Sequence, residues 1–209
     1  MYSRMIETYI VATDLNIIYI NLDKRPDRNE SIINELEGFG NNLVRLSATY
    51  DKKGYLGCAM SHIRALEYAI ENNLDNILIF EDDFMFTRDK QIVYNEIISF
   101  LNLGIDWDVL FLSGNREKRQ EYNYLVDKVT NSQTASAYLV NKHYYTTLLN
   151  HYKTGYKKLK KTNNKDKYAC DTYWKRLQKI HNWFALKQLA GVQRPSYSDI
   201  ENRNVDYGS

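Results

Sequence analysis

Four apolar residues, Ile77-Leu78-Ile79-Phe80, run directly into three carboxylates, Glu81-Asp82-Asp83, and this junction limits the folds open to the chain. An uninterrupted apolar run of this length, set between two stretches with helical spacing, reads as a strand covered on both faces of a parallel sheet. The carboxyl edge of such a sheet is where ligands collect. Three adjacent carboxylates repel one another, and keeping them ionised beside a core calls for a compensating cation.

If the backbone stays extended through the triplet, the two-residue alternation of a strand turns Glu81 and Asp83 to one side and Asp82 to the other. Two oxygen ligands, with positions left for water and phosphate, suit Mg²⁺ or Mn²⁺. A solvated acidic turn that caps the following helix is the alternative from these residues alone.

The same alternation of short apolar runs and helical spacing continues along the chain. Asn16 to Asn21 reads as a strand, with Pro26 suited to the first turn of a helix over Asp27 to Gly38 and a second strand at Leu43 to Leu46. A helix is expected from Leu56 to Asn73, with Met60, Ile63, Leu66, Tyr68 and Ile70 near one face. Another, Lys90 to Leu103, leads through Gly104 into a strand at Asp108 to Leu112 that ends at Ser113-Gly114-Asn115. A polar loop from Arg116 to Asn131, a strand at Ala135 to Val140 and a helix from Asn141 to about Tyr152 follow. Lys153 to Lys167, with seven lysines and one acid, reads as a solvated basic loop or a guide for an extended acceptor. A helix around Ala169 to Ile180 and an apolar stretch at Phe184 to Leu189 complete the pattern.

A chain of 209 residues accommodates one such α/β domain with a full core. Residues 1–15 are expected as an N-terminal extension and residues 191–209 as a tail. The 28 basic and 26 acidic side chains leave a net charge of +2, which makes no global case for nucleic acid as a partner. No stretch reads as a signal peptide or membrane anchor, so a cytoplasmic location is the default, or a secretory lumen if the chain is a fragment. Cys58 and Cys170 lie far apart and form no local CxxC or Cys/His motif, so neither a zinc site nor a disulfide framework is expected.

Several blocks in order resemble glycosyltransferase family 25, which includes lipooligosaccharide and procollagen galactosyltransferases. They are INLDKRPDR (Ile20 to Arg28), LGCAMSHIRAL (Leu56 to Leu66), ILIFEDDFMF (Ile77 to Phe86), DVLFLSGN (Asp108 to Asn115) and TASAYLVNKHYYTTLL (Thr134 to Leu149). The isolated Asp171 and the tail QRPSYSDIENR (Gln193 to Arg203) extend the match, and the tail is closer to the procollagen branch. The resemblance implies a GT-A-like fold, a UDP-galactose or UDP-glucose donor and Mn²⁺ (or Mg²⁺) held by Glu81 and Asp83. The implied acceptor is hydroxylysine of a collagen-like chain. A bacterial-type glycan acceptor and a non-catalytic sugar-nucleotide-binding role are the alternatives.

Within that frame, Arg25 and Arg28 are candidates for the diphosphate, helped by free N–H groups at a helix start. Asn21 and Asp23 are candidates for uracil or ribose, and Ser61, His62 and Arg64 for the nucleotide. His62 also reads as a half-buried tie between helix and strand. Ser113 and Gly114 are candidates for donor sugar or acceptor. Asp171 is the candidate general base, its alternative being a helix N-cap. Asp82 and Asp108 stand in reserve.

Overall fold

The computed structural model describes residues 15–40, 42–198 and 203–205; the expected extension at residues 1–15 lies almost wholly outside them. Strand β1 (Asn16–Asn21) is followed by α1 (Pro26–Leu36), β2 (Asn42–Ser47), α2 (Gly54–Glu71) and β3 (Asn76–Glu81). The chain then forms β4 (Phe84–Phe86), α3 (Lys90–Leu101), β5 (Val109–Phe111), β6 (Asn115–Glu121), β7 (Val126–Gln133) and β8 (Ala137–Asn141). Helix α4 (Tyr145–Thr162) leads to three short turns, α5 (Lys165–Tyr168), α6 (Cys170–Tyr173) and α7 (Lys175–Gln178). The last elements are β9 (Trp183–Leu186), β10 (Gly191–Gln193), β11 (Ser196–Ser198) and β12 (Arg203–Val205).

Eight strands form one sheet in the order β2-β1-β3-β8-β5-β9-β7-β6. Strands β2, β1, β3, β5, β9 and β6 run one way, and β8 and β7 run against them. The fold is therefore the mixed α/β class with a largely parallel central sheet flanked by helices. Of the strand tips expected to share an edge, Asn21, Glu81 and Ser113 do so, because β1, β3 and β5 point the same way.

Alternation along the strands builds two cores, one on each face. Ile18, Ile20, Ile77, Ile79, Val109 and Phe111 pack with α2, α4 and Trp174 on one face. Ile17, Tyr19, Leu78, Phe80, Leu110 and Leu139 pack with α1 and α3 on the other. In α2 the buried face carries Leu56, Ala59, Ile63, Leu66 and Ala69, together with His62 and Ser61. Ile70, expected on that face, is 42% exposed.

Two expected loops are regular structure. The polar stretch after Gly114 is the β6–β7 hairpin, in which Val126, Val129 and Ser132 turn inward while β6 forms the outer edge. The lysine-rich run is mostly the second half of α4. Leu148, Leu149, Tyr152, Gly155 and Leu159 form its buried face, so the lysines occupy the solvent side of an amphipathic helix. Gly155 is required where the helix meets Tyr173, since a Cβ would lie 2.8 Å from that ring. The single helix expected after Ala169 is broken into α6 and α7.

The two faces of α2 give a stability contrast. Ile63→Ala should cost about 2–5 kcal/mol of unfolding free energy in urea titrations, whereas Ile70→Ala should change it by less than about 0.5 kcal/mol.

Candidate active site

Strand β3 delivers its carboxylates to the rim of a cavity bounded by the loop after β1, the loop after β2, the start of α2 and the chain at Gln193. Loop and helix can approach because residue 57 is glycine: a Cβ there would lie 2.3 Å from the Thr49 carbonyl oxygen. Ser61 fixes the same contact, its Oγ accepting from Thr49 N–H at 2.8 Å and donating to the Gly57 carbonyl.

The carboxylate triplet does not alternate as a straight strand would. The chain turns at Asp82-Asp83, and one Arg28 nitrogen donates to both Asp82 Oδ1 (2.8 Å) and Asp83 Oδ2 (3.2 Å). Asp82 Oδ2 accepts from Asn21 Nδ2 at 2.8 Å, so both its oxygens are engaged. Glu81 faces the other way, with Oε1 against His62 Nε2 at 3.1 Å and Oε2 accepting from Gln193 Nε2 at 3.3 Å. Asp83 Oδ1 is buried with no hydrogen-bond partner.

These contacts set the protonation of the cluster. Burial, reinforced by the Glu81 charge, pushes Asp83 up to about 7 against the pull of Arg28. Burial likewise raises Asp82, although Arg28 and Asn21 oppose it. Burial disfavours the charged forms of Glu81 and His62, but the contacts among Cys58, His62 and Glu81 together outweigh it, lowering Glu81 and raising His62. The pair is a half-buried carboxylate–imidazole contact.

A second cavity lies beyond this wall, lined by Gln133, Thr134, Lys165, Cys170 and Asp171. Both cavities include Cys58, Glu81 and Gln193 among their lining residues. Asp171 belongs to the second. It does not cap its helix: Ala169 holds the N-cap position, and Asp171 Oδ2 accepts from Thr134 N–H at 3.3 Å. Thr134 takes the left-handed backbone, φ 79°, and aims its N–H at that oxygen. Burial first, then the Glu81 charge, raises Asp171 above an ordinary aspartate.

Arg28, Ser61, His62, Glu81, Asp82 and Asp83 thus meet at the first cavity and Asp171 stands at the second. Seven candidates lie elsewhere. Asn21 spends its side chain on Asp82, the Arg25 carbonyl and Arg45, while Asp23 pairs with Arg45 and Ser47. Arg25 pairs with Asp27 across the first turn of α1. Arg64 donates to the Ser47 carbonyl, bracing the end of β2 from outside. Asp108 sits at the opposite end of β5, held by His143 and the Asn182 N–H, too far along the strand to serve either cavity.

Ser113 and Gly114 also line neither cavity. Ser113 Oγ is buried against Ser136 Oγ at 2.7 Å, and Gly114, at φ 147°, turns the chain where a Cβ would lie 2.9 Å from the Gln133 carbonyl. Lys24, Tyr50, Asp51 and Lys52 line the first cavity and were not singled out in the sequence. Lys24 Nζ lies 4.8 Å from the centre of the Tyr50 ring, in cation–π range, and the ring is 65% exposed.

A family profile described as glycosyltransferase family 25 (LPS biosynthesis protein) matches residues 52–175, the span that contains α2, the carboxylate triplet and Asp171. The chain belongs to glycosyltransferase family 25. It is a glycosyltransferase. The fold agrees with a glycosyltransferase involved in glycosylation of the major capsid of PBCV-1, with TM-score 0.58, 12% identity, and coverage of 90% of this chain and 96% of that one. The glycosyltransferase GlyE of Streptococcus pneumoniae TIGR4 aligns over 84% of this chain and 45% of that one, with TM-score 0.48 and 13% identity. Among the described residues, no helix is long and apolar enough to cross a membrane.

Asp83 should leave a signature in the pH dependence of stability. The folded glycosyltransferase keeps this proton to about 7, whereas an unfolded aspartate releases it near 4, so metal-free stability falls as pH rises between those values. Urea denaturation in chelator should find Asp83→Asn similar to wild type at low pH and more stable above 7. The ceiling on that gain is on the order of 4 kcal/mol.

Proposed function

We propose that this family 25 glycosyltransferase moves a hexose from a UDP-sugar to an acceptor hydroxyl, with the donor in the first cavity and the acceptor in the second. The observation that carries this reading is the shared wall of Cys58, Glu81 and Gln193, which sets the carboxylate rim and Asp171 on adjoining cavities. The donor is taken as UDP-galactose or UDP-glucose, as the resemblance implies. The exposed face of Tyr50 is suited to stacking on a base, and Lys24, Arg28 and Lys52 supply positive charge for a diphosphate.

The residues present fit a hard divalent cation. Asp83 brings a buried oxygen without a partner and Glu81 a second carboxylate whose charge reaches it, while Arg28 bridges Asp82 and Asp83. Asp83 and Glu81 would hold Mn²⁺ or Mg²⁺, with Asp82 fixed by Asn21 and Arg28 as their support. When bound, such an ion neutralises charge on the departing diphosphate.

The acceptor oxygen attacks the anomeric carbon as the bond from that carbon to the diphosphate oxygen breaks, and the configuration inverts. Charge spreads as in an oxocarbenium ion. Asp171 takes the hydroxyl proton, and UDP leaves with the bonding pair. Burial favours this role twice, by raising the basicity of Asp171 and by letting the Thr134 N–H hold its second oxygen.

We take the acceptor to be of the collagen-like type from the resemblance of the tail beginning at Gln193 to the procollagen branch. Its residues reach the site directly: Gln193 binds Glu81, and the Arg194 N–H donates to the Asp83 carbonyl at 2.6 Å. The lysine-bearing solvent face of α4 is followed by Lys165 of α5, which lines the second cavity, and this basic run is suited to guiding a long acidic acceptor.

UDP with Mn²⁺ should raise the melting temperature more than either alone; no response to the pair would overturn the donor assignment. UDP-galactose and UDP-glucose, offered with hydroxylysine-bearing collagen-like peptides, test sugar and acceptor. Asp171→Asn should lower kcat by about 10²–10⁴-fold while donor binding by calorimetry stays unchanged. Wild-type turnover in that variant would remove Asp171 from its role.

A further inference from the structure

Among the described residues, the ligand atoms of Cys58, His62 and Cys170 all lie within 4.8 Å of one another. Cys58 and His62 stand four residues apart on one face of α2, and Cys170 enters from α6, more than a hundred residues later. Both thiols are free. The imidazole is held by its far side: Nδ1 lies 2.8 Å from the Tyr138 hydroxyl, which in turn accepts from Tyr152 Oη at 3.4 Å. That contact turns Nε2 toward Cys58 and Glu81, and Glu81 Oε1 lies 3.7 Å from Cys58 Sγ.

We propose that Cys58 Sγ, His62 Nε2 and Cys170 Sγ form a binding site for a soft or borderline divalent cation of the Zn²⁺ class, with Glu81 Oε1 or water as the fourth ligand. Two sulfurs and an imidazole nitrogen are the donor set such ions prefer, and four ligands complete their tetrahedron. A ligating histidine characteristically has its second ring nitrogen fixed by a polar partner, here Tyr138. The site differs in chemistry from the carboxylate rim. Asp83 and Glu81 Oε2 offer only hard oxygen, whereas the thiol side of the wall offers sulfur and nitrogen.

Binding would exchange protons for metal: two thiol protons and the one shared by His62 and Glu81 pass to solvent as the metal–sulfur and metal–nitrogen bonds form. The ion would tie α6, which carries Asp171, to α2 and to the tip of β3. It is a clip between the walls of the two cavities and stands apart from whether sugar transfer is the reaction.

Co²⁺ is the probe, added to the reduced, full-length protein in place of Zn²⁺. Wild type should bind one Co²⁺ per chain with a thiolate-to-metal charge-transfer band and the intense visible bands of tetrahedral cobalt. Zn²⁺ should abolish both and Mg²⁺ should not. Cys58→Ser with Cys170→Ser should lose the charge-transfer band, and Asp83→Asn should keep it. Residue-resolved alkylation with iodoacetamide needs no variant: Zn²⁺ should slow modification of Cys58 and Cys170 at least tenfold, and Mg²⁺ should leave it unchanged. A wild-type protein with both thiols reduced and no charge-transfer band would overturn the proposal. So would alkylation indifferent to Zn²⁺, or a Cys58–Cys170 disulfide that persists in reductant.

Discussion

The site depends on how the chain accommodates three carboxylates at the end of a fully buried strand. Leu78, Ile79 and Phe80 have no exposed surface, so Glu81, Asp82 and Asp83 emerge from a region that cannot solvate charge. The fold resolves the conflict with different partners for each. Asp82 goes to Asn21 and Arg28, Asp83 shares Arg28, and Glu81 turns to His62. Arg28 can do this because Pro26 starts α1 just beyond β1, which places the arginine one residue after Asp27 in the first turn, beside the neighbouring strand tip. A helix start, a strand end and a half-buried arginine are therefore one unit.

That arrangement leaves a residue of unmet charge. One guanidinium faces two carboxylates, Asp83 keeps a buried oxygen without a partner, and its proton is held to about 7. Buried charge without compensation is costly, and such imbalance is common where a protein has reserved a place for a ligand. Arg25, by contrast, pairs locally with Asp27. The adjacent basic residues of one short motif have separate work because the first helical turn points them in different directions.

Much of the fold was legible because its signals are local. The runs at Ile17–Ile20, Ile77–Phe80 and Val109–Phe111 are buried strands, and α1, α2 and α3 begin and end near their expected residues. The β6–β7 hairpin was missed because Asn115–Glu121 contains no apolar residue: an outer-edge strand has no buried face to impose alternation. The second half of α4 was obscured by lysine content, though Tyr152, Gly155 and Leu159 keep helical spacing toward the core. Asn21 and Asp108 show a second use of such positions. Polar residues at strand ends do sit near ligands, but they also tie one element to the next, and both side chains are fully used in that way.

The site itself was legible only in part, since its decisive neighbours come from segments with no local signature. Glu81 joins His62 and Cys58 from α2 to Gln193 at the end of β10, and its charge acts on both Asp83 and Asp171. Its influence on the two is of one sign: in each, the Glu81 carboxylate adds to burial in raising the proton affinity. A cation beside Glu81 would offset that contribution at both places at once. On the proposed reading, donor and metal arriving at the first cavity would weaken the hold of Asp171 on a proton, leaving it ionised and ready to accept one from the acceptor. Burial, opposed by the Thr134 N–H and the His62 charge, would then set its basicity. On that reading the wall between the cavities would couple donor to base through one carboxylate, with no movement of the backbone required.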